Sequence, residues 1–263
     1  MLKHLYLQLD KVMPLSLLLF LCNIILRLRG VEDKITTEKN MLKIVSRRNL
    51  DYSIAFLYRS RIPIYLWGID ARLSKLASEY GIEKNTLNGL DTVVDCGANI
   101  GEIGLYLKYK YPKINHVAFE PGKKEFGILL KNMGGYGCLH NTALWDTHAE
   151  LNFYEKGISA DSSLLEVANY ESKISVSAIP MDSIDIEGNK LFLKIEGEGA
   201  EPEILRGAIN TMKSCELISV DCGFERGLDQ TSTLFEVYDV LEKYDFKPRI
   251  IDKNRLITLY SRG

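Results

Sequence analysis

The sequence predicts an α/β protein, a mostly parallel sheet covered by helices with its last strand antiparallel, behind an N-terminal extension. Three observations predict it. From residue 91 onward, short apolar runs alternate with segments of helical spacing. Three of those runs end in an acid, at Asp95, Glu120 and Asp221. Two final runs, 246–251 and 255–260, are joined by Asp252, Lys253 and Asn254 as in a hairpin.

The composition agrees. At 263 residues, 46% hydrophobic and 26% charged, the chain has material for a large core, and a disordered, collagen-like or polytopic membrane protein is excluded. The net charge of −2 gives no overall basic field for nucleic acid. The charge is uneven: +6 over residues 1–90 and −8 over 91–263. The basic front suits a membrane surface or an anionic carrier. Five cysteines (Cys22, Cys96, Cys138, Cys215, Cys222) with no C-x-x-C read as reduced thiols of a cytoplasmic protein.

Residues 1–30 form one predicted segment. Val12–Leu28 reads VMPLSLLLFLCNIILRL, with Lys3 and Lys11 before it and Arg27 and Arg29 at its end. Its best apolar stretch, about 13 residues, is short of the roughly 20 that cross a bilayer. No small-residue cleavage site follows. It is either a membrane-associated helix or an N-terminal helix packing on the main domain or a partner.

Residues 31–90 are predicted as a helical extension, with helices at 38–50 and at 71–80 ending at Gly81, and an extended piece at 62–68. Residues 91–263 are the main domain. Strands are predicted at 92–95, 116–120, 138–144, 191–195 and 217–221, and an inserted strand pair at 151–154 and 175–179. Helices are predicted at 102–111, 123–133, 201–212 and 232–244. In such sheets the ligand lies outside the carboxyl ends of the strands.

The chemistry gathers at those ends. VVDCGANIGEIG (93–104) puts Gly97, Gly101 and Gly104 in a loop between strand and helix, with Asp95, Ala98 and Asn99 in the same turn. Glycines admit a ligand to the backbone, and the following helix offers free N–H groups. The spacing is not that of the G-x-G-x-x-G dinucleotide fingerprint. Glu120 ends the second strand and Pro121 fixes the turn. A carboxylate there accepts two hydrogen bonds from a ribose diol. LFLKIEGEGAE (191–201) places Lys194 and Glu196 on one side of a strand, with Glu198 and Glu201 beyond. Such a cluster serves acid–base chemistry or a divalent metal, or, for Glu198 and Glu201, helix capping. Asp221 and Glu225 fall beside it. Ser162 and Ser163, in the long insertion, either contact a substrate or cap a turn.

VDCGANIGE (94–102), the FEP turn (119–121) and LKIEGEGAEPEILRGA (193–208) together resemble FkbM-family methyltransferases over about residues 60–260. Glu196 stands where the family usually has Asp. The resemblance implies a Rossmann-like class I methyltransferase fold, with seven strands and the last antiparallel. It implies S-adenosylmethionine as cofactor, its methionine end on Asp95, Gly97, Ala98, Asn99 and Gly101. Its ribose would lie on Glu120 beside Pro121, and its adenine near Ala143 and Leu144. Lys194, Glu196 and Asp221 would face the acceptor as catalytic residues, with Ser162, Ser163, Glu198 and Glu225 on the substrate. The acceptor would be a hydroxyl of a sugar, glycan, lipid-linked compound or natural product. Two other readings are a nicotinamide oxidoreductase on a Rossmann sheet and an inactive family member serving as a binding subunit. The oxidoreductase leaves the carboxylate cluster and the terminal hairpin unexplained.

Overall fold

The computed structural model describes residues 13–39, 41–156, 162–252 and 255–263. Lys3, Lys11, Val12, Lys253 and Asn254 lie outside the described residues. The chain divides into two compact units, Met1–Leu76 and Ala77–Gly263.

The first unit holds helix α1 (Leu15–Leu28) and strands β1 (Asp33–Glu38), β2 (Met41–Ser46) and β3 (Ser53–Phe56) in an antiparallel sheet. Leu18, Cys22 and Leu26, one turn apart, are the buried face of α1. Asn23 ties the helix to β1 by donating to the Ile35 carbonyl (2.8 Å) and accepting its N–H (2.9 Å). The helix predicted over 38–50 is a β-hairpin instead. Leu42 and Val45, three apart, imitate a helical face, but Leu42 and Ile44 share one side of β2 and pair with Phe56 and Ile54 of β3. The β-branched run Ile35–Thr37 favours the strand. The piece expected to be extended at 62–68 begins as a 3₁₀ turn, Arg59–Tyr65, which buries Ile62 and Tyr65 three residues apart. Helix α2 (Ile69–Glu79) matches its expectation, and Gly81 follows at φ +68°.

In the second unit a short helix α3 (Lys84–Leu87) leads to β4 (Thr92–Cys96), α4 (Glu102–Lys110), β5 (Asn115–Phe119), α5 (Lys123–Met133) and β6 (Cys138–His140). Next come β7 (Ala143–Leu144), β8 (Ala149–Glu155), β9 (Ser172–Ile179), β10 (Leu191–Ile195), α6 (Glu201–Arg206) and β11 (Cys215–Asp221). A small ribbon, β12 (Phe224–Arg226) and β13 (Thr231–Ser232), precedes α7 (Leu234–Glu242) and the hairpin β14 (Phe246–Ile251) and β15 (Ile257–Arg262). Seven strands run in the order β14-β15-β11-β10-β4-β5-β6, with β15 antiparallel to both neighbours. This is the expected Rossmann-like α/β sheet. Strand order reverses between β4 and β10, so the crevice opens there. Each of β4 and β10 is buried along its whole length.

Two further predictions change. The single strand expected at 138–144 is two. Asn141 donates to the carbonyls of Glu120 (2.9 Å) and Pro121 (3.2 Å) and bends the chain away, so β7 joins β8 and β9 in a separate three-stranded sheet. The helix expected over 201–212 stops at Arg206. A Cβ on Gly207 would lie 2.0 Å from the Trp145 carbonyl oxygen, so the chain passes tightly there and then forms a 3₁₀ turn, Thr211–Ser214.

Candidate active site

The loop after β4 is shaped by what it touches. Gly97 has φ +72°, and a Cβ there would meet the Glu196 carbonyl oxygen at 2.0 Å. The N–H groups of Gly97 and Ala98 both donate to the Phe119 carbonyl, at 3.0 Å each. The loop is thus clamped between β5 and the end of β10. Asn99 takes φ +50° and accepts the Ile100 N–H (2.9 Å), and Gly101 at φ +88° starts α4. Gly97→Ala is expected to lower the unfolding temperature clearly. The left-handed backbone alone costs about 1–2 kcal/mol, and a clash with a carbonyl is not relieved by rotating a side chain. An unchanged melting curve would show that the loop and β10 do not approach this closely.

Glu120 is buried at the end of β5. Its Oε2 accepts the Asn99 N–H (2.8 Å) and its Oε1 the Gly122 N–H (2.7 Å). Each oxygen keeps a further lone pair for an incoming hydroxyl. Burial pushes the carboxyl up to about 7 against these two donors. Pro121 is half-buried beside it.

Across the switch point lies a chain of charges. Lys194 pairs in register with Asp95, and its Nζ lies 3.0 Å from Asp95 Oδ1 and 3.0 Å from Glu196 Oε2. The same ammonium donates to the carbonyls of Cys96 (3.1 Å) and Gly97 (2.9 Å). Lys194 is 2% exposed. The register therefore sets Lys194 beside Asp95 on one face of the sheet, where its buried ammonium holds the glycine loop. Burial opposes both charges, but Lys194 and His116 keep Asp95 below its usual range, and Asp95 and Glu196 raise Lys194. The Glu196 side chain is 27% exposed. Burial is again outweighed, and Lys194 and Arg255 hold its carboxyl low.

Arg255 escaped the sequence reading. Its Nη2 lies 3.1 Å from Glu196 Oε1 and 2.6 Å from Asp221 Oδ2, and its Nη1 lies 3.3 Å from Glu79 Oε2. The buried Tyr80 hydroxyl reaches Asp221 Oδ2 at 3.5 Å, and the Lys194 ammonium lies 5.1 Å from the Tyr80 ring centroid. Asp221 is raised by burial, more than Arg255 lowers it. Arg255 sits in the turn of the final hairpin, and only the insertion of β15 beside β11 brings it to Asp221.

This arrangement can be set beside known proteins. The FkbM methyltransferase domain matches residues 95–248, from the buried Asp95 to the final hairpin. The chain belongs to the FkbM methyltransferase family. Methyltransferase 1 of Beauveria bassiana (strain ARSEF 2860) is 25% identical over 146 residues, which cover 44% of this chain and 57% of that protein. Methyltransferase sdnD of Sordaria araneosa is 28% identical over 120 residues, covering 44% of this chain and 41% of that protein. The FkbM chain spans about half the length of the curated relatives it matches. Among solved structures, it is similar to a SAM-dependent methyltransferase from Aquifex aeolicus, with TM-score 0.42 and 12% identity over 77% of this chain and 92% of that one.

Other candidate residues of this FkbM chain have structural partners. Glu201 caps the turn before α6, its Oε1 accepting the N–H groups of Gly197 (2.9 Å) and Gly199 (3.0 Å) and its Oε2 the Thr233 hydroxyl (2.9 Å). Burial raises it to about 7. Ser163 is buried and donates to the Glu198 carbonyl (2.8 Å), while Ser162 Oγ accepts the Lys156 N–H (3.1 Å). Both serines tie the insertion together, and Ser163 fixes it to the loop after β10. Glu198 is half-buried at φ +50°. Ala143 and Leu144 are buried, each in a hydrophobic core, so in their segment Asn141 is the exposed side chain. Glu225 is half-buried, and burial together with Asp221 and Glu196 pushes it up to about 8. Among the described residues, no group of three or more His, Cys, Asp or Glu is arranged to hold a metal ion.

Proposed function

We propose that the chain is an S-adenosylmethionine-dependent O-methyltransferase acting on a hydroxyl of a sugar, glycan, lipid-linked compound or natural product. One observation carries the reading. The glycine loop and Glu120 stand on one side of the strand-order reversal, and Glu196, Asp221 and Glu225 on the other. Family membership and two relatives named as methyltransferases support it.

The residues present fit the cofactor. Glu120 has a free lone pair on each oxygen for a ribose diol, and its Oε2 is tied to the glycine loop through the Asn99 N–H. When bound, S-adenosylmethionine supplies an electrophilic methyl group. The protein's part is placement and proton transfer. Asp95 and Lys194 hold the loop, as positioning residues. Asp221, raised by burial where Glu196 is held low, is the stronger base of those two and takes the hydroxyl proton. Glu196, held low by its two cations, stays ionised and anchors Arg255. Glu225 in its acid form donates a hydrogen bond to an acceptor oxygen.

Calorimetric titration of the full chain with S-adenosylmethionine and S-adenosylhomocysteine tests this. Affinity in roughly the micromolar range is expected. Because the carboxylate, not the acid, accepts both ribose hydroxyls, binding should strengthen as pH rises through about 7 and then level off. Glu120→Gln should weaken binding roughly tenfold to a hundredfold and remove that pH dependence. A folded chain that binds neither compound at any pH would overturn the reading.

A further inference from the structure

The first unit carries an apolar surface that its own packing leaves uncovered. Helix α1 buries Leu18, Cys22 and Leu26. At about 100° per residue, the opposite arc holds Leu17, Phe20, Leu21, Ile24 and Leu28. Phe20 is 61% and Leu28 82% exposed, and Leu17 and Leu21 are exposed too. Arg27, exposed, borders the arc on the Phe20 side. At the helix end the Arg29 guanidinium lies 4.0 Å from the Trp67 ring centroid and donates to the Leu66 carbonyl (2.7 Å). Trp67 is itself 64% exposed. Large apolar side chains and the exposed Arg27 thus share one face of α1, while Arg29 and Trp67 close its C-terminal end from the buried side.

We propose that this face lies flat on a membrane surface bearing anionic headgroups, with α1 in the plane of the interface and the exposed Arg27 on a phosphate. Charge selects this occupant. Residues 1–76 carry thirteen Lys and Arg against six Asp and Glu, a net +7, while residues 77–263 carry a net −9. An amphipathic helix with large exposed apolar side chains, carried by a basic unit, is the chemistry of interfacial binding. The helix does not cross: its 14 residues span about 21 Å against the roughly 30 Å of a hydrocarbon core. Among the described residues no helix is long and apolar enough to do so. Asn23, bonded to the Ile35 backbone, holds α1 along its sheet. The inference does not rest on the methyltransferase reading.

The test is cosedimentation of the full chain with vesicles of phosphatidylcholine alone or mixed with phosphatidylglycerol. Binding to the mixed vesicles, absent on phosphatidylcholine and weakened by salt, is expected. Phe20→Ser combined with Leu28→Ser should weaken it at least tenfold, and Arg27→Glu severalfold, with melting temperature and cofactor titration unchanged because all three side chains are exposed. No cosedimentation by the folded wild-type chain, or equal binding by the variants, overturns the proposal. So does a wild-type dimer in lipid-free solution that the paired serine substitutions dissociate, since it would assign the face to a second copy.

Discussion

Lys194→Met is expected to destabilise the second unit by about 3–5 kcal/mol, the usual cost of stranding a buried charge. That corresponds to a fall in unfolding temperature on the order of 10 °C. The ammonium sits between Asp95 and Glu196 at 3.0 Å each and donates to two loop carbonyls. Methionine fills the volume but leaves Asp95 ionised in a fully buried place. Adding Asp95→Asn should recover a large part of the loss, because the stranded charge is then gone. Chemical denaturation of the wild type, both single variants and the double variant measures the coupling. Additive losses across the four proteins would mean that Asp95 and Lys194 do not act as a pair.

Asp221→Asn is expected to lower turnover by about a hundredfold to ten-thousandfold, the range for losing a general base. S-adenosylmethionine affinity should stay within a factor of about three, because Asp221 lies across the switch point from the glycine loop. Transfer of a labelled methyl group to a panel of hydroxyl compounds supplies the assay. The loss should fall on kcat, with a smaller change in KM. Full turnover by Asp221→Asn would pass the role of base to Glu196, and Glu196→Gln distinguishes the two.

The second unit was legible because its strands are buried on both faces and read as continuous apolar runs, and because their carboxyl ends carry acids. Helix α5, Lys123–Met133, fell within its expected bounds, stopped by Gly134 at φ +55°. The first unit was not legible in the same way. On β2, Leu42 and Val45 satisfy a helical period and Leu42 and Ile44 a strand period, and pairing with β3 decides between them. The site divides along the same line. Gly97 and Glu120 stand at the ends of apolar runs, where a local pattern marks them. Arg255 acts through the insertion of β15 beside β11, a contact between distant parts of the chain that no local pattern encodes. The pairing of Lys194 with Asp95 likewise depends on the register of β10 on β4.

That insertion also governs when the site comes into being. β15 is the inner partner of both β11 and β14, so residues 257–262 must slot between two strands made earlier. During synthesis the glycine loop and Glu120 leave the ribosome long before Arg255 does. A nascent chain can therefore assemble the glycine loop and Glu120 while Asp221 still faces water with no guanidinium beside it. The two sides of the strand-order reversal mature at different times, and the charge chain closes only when β15 inserts.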